Sequence, residues 1–260
     1  MRYDDFMRMA KSIGCQGVHY RNDLGRPLFE GDSAETVRQL AGDEGMQITG
    51  LAQLERFNEW NAERAKQAAE LIKTAAAIGA AGIGLIPVND GTGVAEGARQ
   101  ANLKNALAEL KPLLQSAGLK GFIEPLGFVQ CSLRHKAEAV AAIEAVEGQG
   151  TFMLVHDTFH HFMANGRATG APIFPEYTGI IEISGVIDPE LAPSDLQDIH
   201  RILVDARDRI GNVDQIRELA EAGYTGPVSF EPFSPQVHGL SNPAEAIAQS
   251  FDFIARELAA

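Results

Sequence analysis

Four short apolar runs in this chain each end on an acid. They are Phe122-Ile123-Glu124, Met153-Leu154-Val155-His156-Asp157, Ile180-Ile181-Glu182 and Val228-Ser229-Phe230-Glu231. Strand side chains alternate between two faces. On that period Met153, Val155 and Asp157 share one face, while Leu154 and His156 take the other. Glu182 shares a face with Ser184, and Glu231 with Ser229. If these runs are neighbouring strands, four carboxylates converge on one point. Carboxylates so close repel and stay ionised together only beside a cation. One divalent metal ion held by Glu124, Asp157, Glu182 and Glu231 is the economical reading. Oxygen ligands favour Mg²⁺ or Mn²⁺, with Zn²⁺ or Co²⁺ as alternatives. A single such acid would read equally well as a solvated strand end or a helix cap.

Other candidates lie close by. In His156-Asp157-Thr158-Phe159-His160-His161, His160 is expected on a loop just above Asp157, as a ligand, a substrate contact or a loop cap. His156 reads as outward-facing and structural, and His161 as exposed. His19 and Arg21 share a strand face and are candidates for substrate binding, although Arg21 could simply pair with Asp23. Arg201 is a candidate contact for a substrate hydroxyl or carboxylate. Arg134 reads equally as a surface pair. Phe57 and Trp60 offer an apolar wall, with packing against a helix as the plainer alternative.

The elements that must position these residues recur along the chain. Seven times a helix-like stretch meets a glycine-containing turn and then a short apolar strand: SIGCQGVHY, DEGMQITGL, IGAAGIGLIPV, SAGLKGFIEPLG, GQGTFMLVHD, YTGIIEISGV and AGYTGPVSFEPF. Starts spaced roughly 30 to 50 residues apart suit βα units. Amphipathic helices are expected over 62–77, 102–116, 213–221 and 243–258. Alternating strand and helix means a parallel sheet. No GxGxxG follows a strand and no Walker A is present, which favours a (β/α)8 barrel over an open dinucleotide-binding sheet. No Pro/Ser-rich linker divides the chain, so residues 1–260 read as one barrel domain. The count stops at seven strands because a helix over 4–12 precedes the first, at 17–20. A closed barrel needs another strand, so either the N-terminus is shortened relative to a complete barrel or the barrel has a gap, which the 17–21 and 228–231 strands would flank. Such an open edge favours association with a second copy.

Composition sets the outer limits. Net charge is −13 over 260 residues, with a pI of about 5.0, which argues against a nucleic-acid groove. Two cysteines, Cys15 and Cys131, make no disulfide framework and no zinc spacing. No signal core or membrane-length apolar run is visible. A soluble, cytoplasmic protein with a small-molecule substrate is expected, with neither nucleic acid nor membrane as partner.

With these motifs in hand, the chain resembles the sugar-phosphate isomerase/epimerase superfamily, the xylose isomerase-like TIM barrels. It looks most like their inosose (ketoinositol) isomerase-type members. The resemblance spans nearly the whole chain and rests on FIEPLGF around Glu124, HDTFHH around Asp157 and His160, DIHR at 198–201 and GYTGPVSFEPFS around Glu231. It implies a sugar or cyclitol substrate, a metal held by Glu124, Asp157 and Glu231 with a further ligand at the position of Glu182, and substrate contact by His160. It also implies that Glu124 and Glu231 act as catalytic acid and base. Two positions depart from the pattern. Glu182 stands in IEISG where the family carries His, and His19 stands where close relatives tend to carry Glu. The pair reads as a compensating swap across the mouth, or as altered metal choice, a new reaction or lost activity. The reaction expected is isomerisation or epimerisation of a small polyhydroxy ketone or sugar through an enediolate. A dehydratase on the same scaffold and a non-catalytic sugar-binding or assembly protein are the rivals. An abasic-site endonuclease would need more histidine and a basic surface.

Overall fold

A computed structural model describes residues 1–93, 95, 97–166 and 172–260. Its centre is one parallel sheet of seven strands in sequential order. They are β1 (Gly17–Arg21), β2 (Gln47–Glu55), β3 (Gly82–Ile86), β4 (Lys120–Ile123), β5 (Phe152–Asp157), β6 (Thr178–Ile183) and β7 (Val228–Phe230). Around them lie α1 (Tyr3–Ser12), α2 (Ala34–Glu44), α3 (Ala62–Ile78), α4 (Ala98–Ala117), α5 (Lys136–Ala145), α6 (Thr158–Asn165), α7 (Asn212–Glu221), α8 (Pro235–His238) and α9 (Pro243–Ala259). The strands curl into a nearly closed barrel, and neighbours pair in parallel from β1 to β7.

Local chemistry explains the repeat. Ser33 and Asn61 cap α2 and α3 by accepting the Thr36 and Arg64 amides, which satisfies donors no helix turn can reach. At the other end of α4, Gly118 turns into the left-handed region at φ 68°. A side chain would disfavour that turn, and it frees the chain to enter β4. α4 starts four residues before the periodicity suggests and runs through Pro112.

The strand faces divide as their alternation requires. Outward residues such as Ile83, Leu85, Ile123, Phe152 and Leu154 join Leu71, Leu107 and Leu110 from the helices in the main core. Inward, Phe122, Val155 and Ile180 form a separate apolar layer, with Met153 packed against it. This layer fills the barrel beneath Glu124, Asp157 and Glu182, which follow on the same faces.

The expected gap is present. Among the described residues no strand pairs with the outer edge of β1 or of β7. Residues 3–5 lie in α1 rather than between those strands. The exposure of Val228 (36%) follows from the missing neighbour. No helix of the described residues is long and apolar enough to cross a membrane.

Candidate metal centre

The barrel places the four acids together. Oxygens of Glu124, Asp157, Glu182 and Glu231 lie within 4.8 Å of one another, and Glu124, Asp157 and His160 form an overlapping group. Glu124 follows β4 directly, Asp157 ends β5, Glu182 lies in β6 and Glu231 follows β7. All four are at the C-terminal ends of parallel strands, the face where barrels of this kind carry their sites. Above them opens a pocket of about 350 Å³, at the small end of the range for small-molecule sites. Its walls include Arg21, Glu124, Leu126, Phe128, His160 and Phe233.

Asp157 has two tasks. Its Oδ1 accepts the His160 amide at 2.8 Å and so caps α6. The helix therefore begins at Thr158, and His160 sits in its first turn rather than on a loop. His160 Nε2 lies 3.6 Å from Glu124 Oε1. Burial lowers the His160 pKa to about 4, so the ring is neutral at pH 7.

Arg201 is the main cation of the site. Its guanidinium is 1% exposed and bonds Asp157 Oδ2 at 2.5 Å and Glu231 Oε2 at 2.7 Å. Its Nε donates to Ser184 Oγ at 3.0 Å. Phe159 and Phe233 flank it with ring centroids 5.0 and 4.9 Å away. The sequence suggests Arg201 as a substrate contact; it lines the upper pocket, and its Nη2 bonds two carboxylates of the cluster. Arg21 also ion-pairs with Glu231, and separately with Asp23. The pairing with Asp23 is therefore present, and Arg21 also lines the upper pocket.

His19 enters the barrel beside Glu182, at the edge of the acid group. Its Nδ1 lies 3.7 Å from Glu182 Oε1, and neither ring nitrogen has a hydrogen-bond partner. A Cβ on Gly50 would come within 2.7 Å of the ring, so the absent side chain at 50 makes the recess His19 occupies. Burial, reinforced by Arg21, lowers the His19 pKa to about 4. His19 and Glu182 thus face each other.

The electrostatics separate the acids into two kinds. Burial is the largest influence on Asp157 and opposes its ionisation, but Arg201, the His160 side chain and amide, and Lys136 together outweigh it and hold the pKa below the ordinary carboxylate value. Burial and the neighbouring acids push Glu124 and Glu182 well above it. Glu231 is raised by burial despite its two guanidinium partners. Two guanidiniums among four carboxylates leave a formal charge of −2 when all four are ionised. A divalent cation has the charge to balance that excess. The donor set fits one, since among the described residues Glu124 and Glu182 have no guanidinium partner.

The remaining candidates fall outside the centre. His156 points outward to Gln215 on α7 at 2.9 Å. His161 is buried, not exposed, with its Nδ1 2.8 Å from Lys136 Nζ. Phe57 is fully buried in the core and Trp60 packs on it, so the packing alternative holds for both. Arg134 bonds the Gly127 carbonyl. Sequence reasoning overlooked Ser184 as a partner of Arg201, Phe233 as its platform, and a polar rim including Gln53, Glu55, Asn89 and Asp90. The only local signal was the inward parity of Ser184 with Glu182.

Comparison with known proteins agrees with the geometry. An inosose isomerase of Halalkalibacterium halodurans is 30% identical over 155 residues, which is 57% of this chain and 51% of that protein. The matched stretch therefore spans about half the length of that relative. A xylose isomerase domain containing protein from Salmonella typhimurium LT2 superposes with a TM-score of 0.90 at 28% identity. That match covers 100% of this chain and 93% of the other. IolI protein with a bound zinc atom has a TM-score of 0.82 at 17% identity, covering 99% and 93% of the two chains. D-psicose 3-epimerase from Clostridium cellulolyticum H10 gives 0.76 at 17%, covering 99% and 94%. These last two likenesses are of fold. Residues 7–257 match the family described as xylose isomerase-like TIM barrel, and the chain belongs to that family.

Proposed function

We propose that this chain is a divalent-metal-dependent isomerase or epimerase of a small polyhydroxy ketone or sugar, of the inosose or ketose kind. The observation that carries the reading is the charge excess at the pocket floor: four carboxylates within 4.8 Å with, among the described residues, two guanidiniums bonded to them. Glu124, Asp157, Glu182 and Glu231 would hold the ion. Their oxygens suit Mg²⁺ or Mn²⁺, and a contribution from His160 would suit Zn²⁺ or Co²⁺. When bound, the metal would polarise a substrate carbonyl and stabilise the charge that develops there.

The protein supplies the proton transfers. A hydrogen beside a ketone is too weakly acidic to leave unaided, so a positioned base must take it. Glu124 and Glu231 flank the pocket floor from strands three places apart in the sheet. One removes the proton to give the enediolate; the other returns it to the neighbouring carbon or the opposite face. Arg21 and Arg201 fix the Glu231 carboxylate in place. Neutral His160 offers an N–H to a substrate hydroxyl, and the rim residues Gln53, Glu55 and Asn89 offer further polar contacts.

The test is exchange with solvent deuterium, using inosose and ketose substrates with added Mn²⁺. Glu231→Gln should slow exchange by roughly 10²-fold or more while circular dichroism reports an intact fold. Undiminished exchange would refute the role. Calorimetric titration that detects no Mn²⁺, Mg²⁺, Zn²⁺ or Co²⁺ would favour a non-catalytic sugar-binding protein instead. Loss of water from the product would identify a dehydratase.

A further inference from the structure

His19 is fixed in place by strand geometry, yet its ring makes no hydrogen bond. The register between β1 and β2 shifts between Val18 and His19, which sets His19 opposite Gly50. A Cβ on Gly50 would come within 2.7 Å of the ring Cε1, 2.8 Å of Nε2 and 3.2 Å of Nδ1, so the imidazole rests on the bare glycine. Both ring nitrogens are buried and without a partner. An imidazole carries a proton on at least one of them, and a buried N–H left unpaired costs about 1–3 kcal/mol. Among the described residues Glu182 is the one acid that approaches the ring, with its Oε1 3.7 Å from Nδ1.

The other three acids each have a partner that orients them. Arg201 and the His160 amide hold Asp157, Arg201 and Arg21 hold Glu231, and the His160 ring faces Glu124. His19 is the counterpart for Glu182. The kind of partner matters here. Two guanidiniums among four ionised carboxylates leave a formal charge of −2, and a third cation facing Glu182 would weaken the attraction for a divalent ion. Burial keeps the His19 ring neutral, so it orients a carboxylate without cancelling its charge. At metal sites, outer partners of this sort fix the ligands, and losing one costs about 10–100-fold in affinity.

We infer that His19 is a positioning residue of the metal centre, donating its Nδ1–H to Glu182 Oε1 when the ion is held. This rests on the metal-dependent reading above. From 3.7 Å the contact has to shorten by about 0.8 Å to reach an ordinary N–H···O length. An ionised carboxylate draws the donor in, since charge-assisted hydrogen bonds are the shorter kind. Nε2 is then the bare nitrogen, standing over Gly50 where no side chain meets it.

His19→Asn and His19→Leu provide the test. The two new side chains have nearly one shape and no charge, but only the amide carries an N–H where Nδ1 stands. Loss of the ring is thus common to both variants, and the donor is what separates them. Mn²⁺ is titrated calorimetrically into the chelator-treated parent and both variants, with thermal melts to establish that each is folded. His19→Asn should bind Mn²⁺ at least about tenfold more tightly than His19→Leu. Equal affinities in the two variants would overturn the inference and leave the metal-dependent reading standing. A parent that binds no Mn²⁺ would overturn both. A second measurement uses the parent alone, so no folding failure obscures it. Ring ¹⁵N shifts distinguish a protonated nitrogen from a bare one. In protein saturated with diamagnetic Mg²⁺ they should place the His19 proton on Nδ1, and a proton on Nε2 would overturn the inference.

Discussion

Replacing Arg201 with Met tests the electrostatic account of the site most directly. The substitution keeps a long side chain between Phe159 and Phe233 but removes the cation that bonds Asp157 and Glu231. The Asp157 and Glu231 side chains are 1% and 16% exposed, so water cannot replace the lost partner. Breaking a buried pair in this way costs about 3–5 kcal/mol. The bond to Asp198 adds little, because that side chain is 49% exposed and screened. For a chain of this size each kcal/mol lowers Tm by about 2 °C, so a drop of about 6–10 °C is expected in metal-free buffer at pH 7. The sign of the pH dependence is a second check. In the parent protein the Asp157 pKa is depressed, so its contribution is present above the ordinary Asp value and fades as pH falls. In Arg201→Met the unpaired Asp157 is pushed upward instead, and its penalty grows as pH rises through that new value. The two proteins should therefore converge as pH falls toward about 4. Calorimetric melts from pH 4 to 8 provide the measurement. A variant within about 2 °C of the parent at pH 7, a shift worth only about 1 kcal/mol at this size, would refute the assignment of Arg201 as the cluster's counter-charge.

Two other perturbations probe the groups that burial pushes away from their ordinary ionisation. Glu182 has a raised pKa, so without metal it costs stability as pH rises through that value; Glu182→Gln should melt higher than the parent at pH 8 in chelator and bind Mn²⁺ at least about tenfold more weakly. Equal pH slopes for parent and variant, measured by thermal melts in chelator, would count against it. Lys136 is lowered to about 7 by burial, so between pH 7 and its ordinary 10.5 the unfolded chain binds the extra proton and stability rises with pH by up to about 1.4 kcal/mol per unit. Urea melts at pH 7.5 and 9 should show this slope in the parent and its loss in Lys136→Met, and a slope unchanged by the substitution would contradict the buried, neutral lysine.

What could be read from the chain depended on how local the cause was. The period of two along Met153, Val155 and Asp157 is set by the strand itself, so the inward acids and the apolar layer below them were visible. The seam was visible too, because only seven strand patterns can be counted, and among the described residues none pairs with the outer edge of the first or the last. Helix capping was a nearer miss. Asp157 followed three residues later by His160 is an N-cap arrangement, yet the strand pattern running into the same aspartate put His160 on a loop. The larger misses are non-local. His161 reads as exposed until Lys136, 25 residues away, is found against its ring. Arg201 reads as a candidate substrate contact, and its bonds to Asp157, 44 residues away, and Glu231, 30 away, are not legible in the sequence. Glu182 and His19 look like two separate departures from a pattern; the 3.7 Å between them makes them one. If Glu182 binds a metal with its neighbours, the ring of His19 stands behind that ligand in the recess left by Gly50. A substitution at either position therefore has to be interpreted through the other, and a double-mutant cycle at 19 and 182 measures that coupling.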